Sequence, residues 1–120
     1  MSAAGESTWS VRIAATADAD FEAIIAWTLE QFGDIQARAY VETIALAMAA
    51  LAEGPALPGT KARPEIAKQL FTLHVARNRR RGRHFILFRA DSNAHRIEVL
   101  RILHDSMDLE RHVPDEGAES

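Results

Sequence analysis

Lys61, Arg63, Glu65, Arg83, Arg101 and His104 are the side chains whose types suit chemistry on a phosphodiester. Cleavage of RNA needs one group to activate the ribose 2′-hydroxyl, another to protonate the leaving oxygen, and cations to hold charge on the phosphate. A histidine such as His104 suits proton transfer near neutral pH. Glu65 offers a carboxylate base, and Arg83 and Arg101 carry planar forks that match phosphate oxygens. A catalytic set would therefore be His104, Arg101, Arg83 and Glu65. The same residues also have a structural reading. Arg101 and His104 can bond Asp105, Asp108 or backbone carbonyls and so lock the last element onto its neighbours.

Other chemistries find no support. The five histidines show no pair at helical metal spacing, which argues against a metal site. No glycine-rich phosphate loop or serine-nucleophile motif occurs, and nothing calls for a cofactor. There are no cysteines, which excludes disulfides and thiolate chemistry and fits a reducing cytoplasm. The first ten residues, MSAAGESTWS, lack the basic and apolar regions of a secretory signal. The longest apolar segment, residues 44–52, is too short and alanine-rich to span a membrane.

Charge is distributed in blocks. Residues 1–60 carry two arginines against eight acids, residues 61–101 carry eleven Lys/Arg against three acids, and residues 102–120 carry one arginine against six acids. A basic centre between acidic ends suits an acidic partner, protein or nucleic acid. The densest part, Arg77-Asn78-Arg79-Arg80-Arg81-Gly82-Arg83, reads as a solvated turn. Without interleaved aromatics it is poorly suited to stacking on bases.

The elements that position these groups follow from periodicity. Trp9, Val11 and Ile13 alternate with polar or small residues, as in a strand with one apolar face. Asp18 can cap a helix whose stripe is Phe21, Ile24, Ile25, Thr28, Leu29 and Phe32. Gly33-Asp34 stops it and starts a second helix over residues 35–53, with stripe Ala37, Tyr40, Val41, Ile44, Ala47, Met48 and Leu51. The Gly54–Gly59 loop, with its two prolines, ends that helix. Residues 70–76 form a strand with Phe71, Leu73 and Val75 on one face. Two further strands centre on residues 85–88 and 97–103, joined by the turn chemistry of Asp91-Ser92-Asn93. The order β-α-α-β-β-β plus a short C-terminal element predicts an α+β fold of two layers, a helical hairpin on a four-stranded, largely antiparallel sheet. A hydrophobic content of 48% is enough for one compact core in 120 residues. The domain is expected over residues 9–113, between a tail at 1–8 and an acidic tail at 114–120.

Read in order, several stretches resemble the RelE/ParE superfamily of bacterial toxins from type II toxin–antitoxin systems, and the ParE branch most. They are Trp27-Thr28, Gly33-Asp34-Ile35-Gln36-Ala37 and Tyr40 in the hairpin, and Leu51-Ala52-Glu53-Gly54-Pro55 at its end. The most distinctive are Gly82-Arg83-His84-Phe85-Ile86-Leu87-Phe88-Arg89 and Arg101-Ile102-Leu103-His104-Asp105-Ser106-Met107-Asp108. The resemblance covers roughly residues 9–113. It implies a growth-inhibiting toxin neutralised by a ParD-like antitoxin. It also implies a target, DNA gyrase, poisoned by contact rather than by a reaction of the toxin's own. Arg101, His104 and Met107 are then the expected target-binding residues. The alternative is a RelE-like ribosome-dependent mRNA interferase using the set above. Such nucleases usually add basic or aromatic residues near their C-terminus, whereas this chain ends in an acidic tail that would repel RNA.

Antitoxin binding has its own expectation. Ile86, Phe88, Leu100 and Ile102 share strand parity opposite to Phe85, Leu87, Val99 and Leu103, so both faces of the last two strands are apolar. The first four are expected to form an exposed face that the antitoxin covers. Acidic antitoxin residues are expected to meet Arg79, Arg80, Arg81 and Arg89. Met107 and Trp27 also suit core positions.

Overall fold

The computed structural model describes residues 8–106. Strand β1 is Ser10–Ile13, helix α1 Ala15–Phe32 and helix α2 Asp34–Ala50, extended by a tight turn at Leu51–Glu53. Strands β2 (Lys61–Ala62), β3 (Leu70–His74), β4 (His84–Asp91) and β5 (Arg96–His104) follow. The sheet order is β1-β5-β4-β3-β2. β1 lies parallel to β5 and the other pairs are antiparallel. The predicted α+β sandwich is therefore present, with five strands rather than four. The addition is β2: Lys61 and Ala62 register with Thr72 and Phe71, in a stretch too short to carry a periodic signal.

The helical hairpin turns where its chemistry predicts. Gly33, at φ 91°, occupies backbone that L side chains avoid, and Asp34 opens α2. α1 starts at Ala15, ahead of Asp18, because its N-terminal turn is fastened to β5 instead of being capped by its own side chain. β1 pairs β5 only as far as Val99. Beyond it, Ala14 N–H donates to Val99 O (2.9 Å), Thr16 Oγ1 donates to Leu100 O (2.7 Å), and the Asp20 carboxylate accepts Ile102 N–H (2.9 Å). The start of α1 thus supplies the hydrogen bonds that a longer β1 would have made, and an otherwise exposed strand edge is satisfied.

One core lies between helices and sheet. Ala17, Ile44, Ala47 and Leu51 meet Leu73, Val75, Ile86, Phe88, Ala90, Ile97, Val99 and Ile102. The span Asp34–Glu53 is long and apolar enough to pass for a membrane helix, yet Ala37, Ile44, Ala47 and Leu51 are buried within this protein. A smaller cluster joins Leu100 to Leu70, Ala67 and Ile66.

The split of β5 between clusters corrects the parity reading. The pairing of β4 with β5 shifts register between Leu87 and Phe88: Leu87 faces Arg101 while Phe88 faces Val99. Leu100 is the extra residue of a bulge, and a bulge reverses side-chain alternation from that point on. Ile102 therefore shares the helix-covered core with Val99, and Leu100 leaves it. Ile86, Phe88, Leu100 and Ile102 are all buried, so the exposed apolar face expected from these four does not exist among the described residues.

Candidate functional site

Register brings three histidines to one end of the sheet. His74 closes β3, and His84, which opens β4, is paired with His104 at the end of β5. No spacing in the sequence announces this, because residues 74, 84 and 104 meet only through two hairpins of unequal length. The described C-terminal end, Asp105-Ser106, lies beside them.

Hydrogen bonds tie this cluster together. Arg83 N–H donates to Tyr40 Oη (3.1 Å), and the same oxygen lies in hydrogen-bond contact with His84 Nδ1 (2.7 Å). Burial followed by the nearby His104 lowers the His84 pKa to about 4, so its ring is neutral near pH 7. Burial also raises the Tyr40 pKa above its ordinary value. His104 Nδ1 accepts Ser106 N–H (3.2 Å) and lies 2.8 Å from Ser106 Oγ, which puts the ring proton of His104 on Nε2. His74 Nδ1 accepts Ala76 N–H (3.0 Å), and Nε2 donates to Asp105 (3.1 Å). That bond is the first cause of a lowered Asp105 pKa; burial opposes it, and the charges of Arg83, His104 and His74 act in the same direction as the bond. The His104–Asp105 approach, 3.6 Å at Nδ1, is an ion pair only when His104 is protonated.

His84, His104 and Ser106 line a groove of about 1120 Å³ between the helical hairpin and the basic loop, whereas His74 and Asp105 do not. Ile24, Trp27 and Phe32 of α1 line one side, Tyr40 and Thr43 of α2 continue it, and Arg79 to Arg83 form the facing wall. Trp27 is 55% exposed and Phe32 57%, so the outer end of the α1 stripe leaves the core and faces the groove. Trp27 is therefore not the core residue that its type suggested. Its ring meets Phe32 edge-on at 5.7 Å.

Local sequence explains how the arginine wall stands against the hairpin. A Cβ on Gly82 would meet Val75 at 2.5 Å and Tyr40 at 3.0 Å, so only glycine lets the loop approach Tyr40 this closely. Asn78 and Arg79 take φ 55° and 68°, the left-handed turn that reverses the chain. Such backbone is costly for arginine and is characteristic of functional loops. Arg80 anchors the loop: Nε donates to Thr43 Oγ1 (2.9 Å), and the guanidinium also bonds Ala39 O (3.3 Å) and Glu42 (3.0 Å). Arg79 and Arg81 are exposed and have no ion-pair partner among the described residues. The Arg83 guanidinium makes a long 3.6 Å contact with Asp105 and is itself largely exposed.

The predicted site residues scatter. Arg101 Nε lies 2.8 Å from Asp20, a second guanidinium nitrogen lies 3.0 Å from the other carboxylate oxygen, and this hydrogen bond raises the Arg101 pKa. Arg101 is thus held within its own chain, with Asp20 as a partner that the sequence did not single out. Glu65 sits near Arg63 (3.9 Å) on the loop that enters β3, while His104 stands at the far end of the sheet where β3 leaves. Arg63 is bonded to Thr72 (3.1 Å), and Lys61 lies on the β2 edge. The set His104, Arg101, Arg83 and Glu65 is not assembled. Arg89 faces Glu98 across the sheet at 3.6 Å, outside the groove. Met107 lies outside the described residues. Among those residues no group of three potential metal ligands occurs.

A family model described as the ParE toxin of type II toxin–antitoxin system, parDE, matches residues 11–109. Solved structures that share the fold include two toxin–antitoxin chains. One is a chain of the chromosomal ParDE toxin–antitoxin system from P. aeruginosa, with TM-score 0.65 and 23% identity over 81% of this chain and 96% of that one. The other is a chain of the RelBE2 toxin–antitoxin complex from Mycobacterium tuberculosis, with TM-score 0.53 and 24% identity over 81% of this chain and 91% of that one. Among curated proteins no match is found.

Proposed function

The chain belongs to the ParE toxin family of type II toxin–antitoxin systems, and from that premise we propose that it blocks replication in the bacterial cytoplasm by poisoning DNA gyrase and is neutralised by a ParD-like antitoxin. The observation that favours a contact inhibitor over a nuclease is the dispersal of the expected catalytic set. Glu65 and His104 stand at opposite ends of the strands, and Arg101 is bound by Asp20. An interaction surface, by contrast, is well formed. The groove sets the exposed aromatic rings Trp27 and Phe32 opposite Arg79, Arg81 and Arg83. Aromatic anchors beside arginines are the composition of binding hot spots. An antitoxin segment with apolar residues on one side and carboxylates on the other fits this groove, and the charge speeds encounter. The sheet face first expected to receive it is occupied by the core.

One arrangement favours the alternative reading, a ribosome-dependent mRNA interferase. His84 and His104 lie edge to face at 5.3 Å in the floor of a groove walled by arginines, where a phosphate would meet proton donors. The deciding experiment incubates the purified chain with gyrase and supercoiled plasmid, with and without antitoxin. The gyrase reading expects cleaved DNA to accumulate and antitoxin to abolish it. Unchanged cleavage and supercoiling, together with cutting of ribosome-bound mRNA that is lost in His104→Ala, would establish the interferase instead.

A further inference from the structure

The described chain ends on the rim of its own groove. Ser106 lines that groove together with His104, Arg83 and Arg81. The residues that follow, 107–120, read MDLERHVPDEGAES. They carry carboxylates at Asp108, Glu110, Asp115, Glu116 and Glu119 against a single Arg111, with apolar Met107, Leu109 and Val113 ahead of Pro114. Opposite charges and apolar groups thus exist on the two sides of one attachment point. The groove presents Arg79, Arg81 and Arg83 on one wall and Trp27 and Phe32 on the other. We propose that the acidic C-terminal segment docks in this groove of its own chain, against Arg79, Arg81 and Arg83, and competes there with the acidic segment of the antitoxin. The competition rests on the toxin–antitoxin reading; the docking does not.

Tethering makes this contact favourable even though each ion pair is weak. A segment attached at the rim meets the groove at an effective concentration in the millimolar range. A millimolar intrinsic affinity then suffices for substantial occupancy. Reach is ample. The α1 wall from Ile24 to Phe32 is about 12 Å long at the helical rise, while ten extended residues span roughly 33 Å. The attraction involves exposed guanidinium groups, so salt screens it. If the segment occupies the groove between about half and nine-tenths of the time, it lowers the apparent affinity of a competitor about twofold to tenfold.

The absence of cysteine permits a direct test on the full chain. A nitroxide attached at Ser120→Cys is expected to broaden the Trp27 indole N–H signal and the backbone amides of residues 79–83 at low salt. It should spare Trp9 and residues 92–95, which lie at the opposite end of β4 and β5. Broadening should vanish at about 1 M salt, where the Debye length is about 3 Å. It should also vanish when Asp108, Glu110, Asp115, Glu116 and Glu119 are changed together to their amides. No groove-specific broadening at low salt overturns the proposal. So does broadening that appears when the spin-labelled chain is mixed with an isotopically labelled, nitroxide-free chain, because the occupant is then a second copy. With docking established, the amide variant should bind antitoxin about twofold to tenfold more tightly than the parent. Equal affinities overturn the competition. If neither chain binds antitoxin, the toxin–antitoxin reading fails while the spin-label result stands.

Discussion

Arg101 and the arginines of residues 77–83 carry the same guanidinium group in two settings. Arg101 is 25% exposed in its side chain and grips Asp20, itself 18% exposed, in a two-pronged bond that also lies beside Ile102 N–H. It joins the start of α1 to the end of β5 and has little left for a partner. Arg79, Arg81 and Arg83 stand on a loop whose backbone is held by Gly82 and by Arg80, with their charges turned outward. A guanidinium in water keeps its charge at little cost and is free to meet a carboxylate or phosphate. One withdrawn from water is stable only with its counterion, and removal of either partner is destabilising. The difference separates a structural tie from a recognition surface within one residue type.

The largest effect should fall on the tie. Asp20→Ala leaves Arg101 without its carboxylate and Ile102 N–H without an acceptor, so unfolding free energy should drop by about 3 kcal/mol. Urea denaturation measures this, and a midpoint equal to the parent's would remove the distinction drawn for Arg101. Next comes the recognition surface. Changing Arg79, Arg81 and Arg83 together to Ala should weaken antitoxin association by roughly 30-fold at low salt, about 2 kcal/mol, mainly through a slower on-rate. Its thermal midpoint should stay within about 2 °C of the parent. Loss of folding in this triple variant would show that these side chains support the loop after all.

The groove floor should respond to pH. His84 has a folded pKa of about 4, below the ordinary histidine value near 6.5, so between these values the unfolded chain binds the proton that the folded chain refuses. Stability should therefore be highest above about pH 6.5 and fall as pH drops toward 4. Discounted for partial exposure, the loss from His84 is on the order of 1–2 kcal/mol. The direction at Asp105 is separate. Its lowered pKa contributes stability above the ordinary carboxylate value, lost only in stronger acid. His84→Phe should flatten the curve between pH 6.5 and 4, as read by thermal unfolding. A parent curve already flat in that window would refute the neutral, buried assignment. The smallest effect belongs to Arg80→Ala, about 1 kcal/mol from its bonds to Thr43 and Glu42. It should raise amide exchange in residues 77–83 without speeding urea-induced unfolding of the sheet.

The amino-acid order by itself determined the helical hairpin, its turn at Gly33-Asp34, the three-strand meander and the likeness to the ParE family. Those features rest on local signals: apolar periodicity, glycine and proline stops, and Asp91, whose carboxylate accepts the amides of Asn93 and Ala94 as its turn chemistry predicts. Tertiary structure decided what each polar or apolar residue is for. The bulge at Leu100 exchanged the faces of β5, which period-two counting cannot foresee because one inserted residue inverts all that follow. Asp20 found Arg101, far along the chain, only when α1 lay beside the open edge of β5. The arginine run lacks aromatic neighbours in sequence and gains them across the groove, from Trp27 and Phe32 on a helix folded against it. Burial and pairing are properties of residues brought together by folding, and no local pattern encodes which groups will meet.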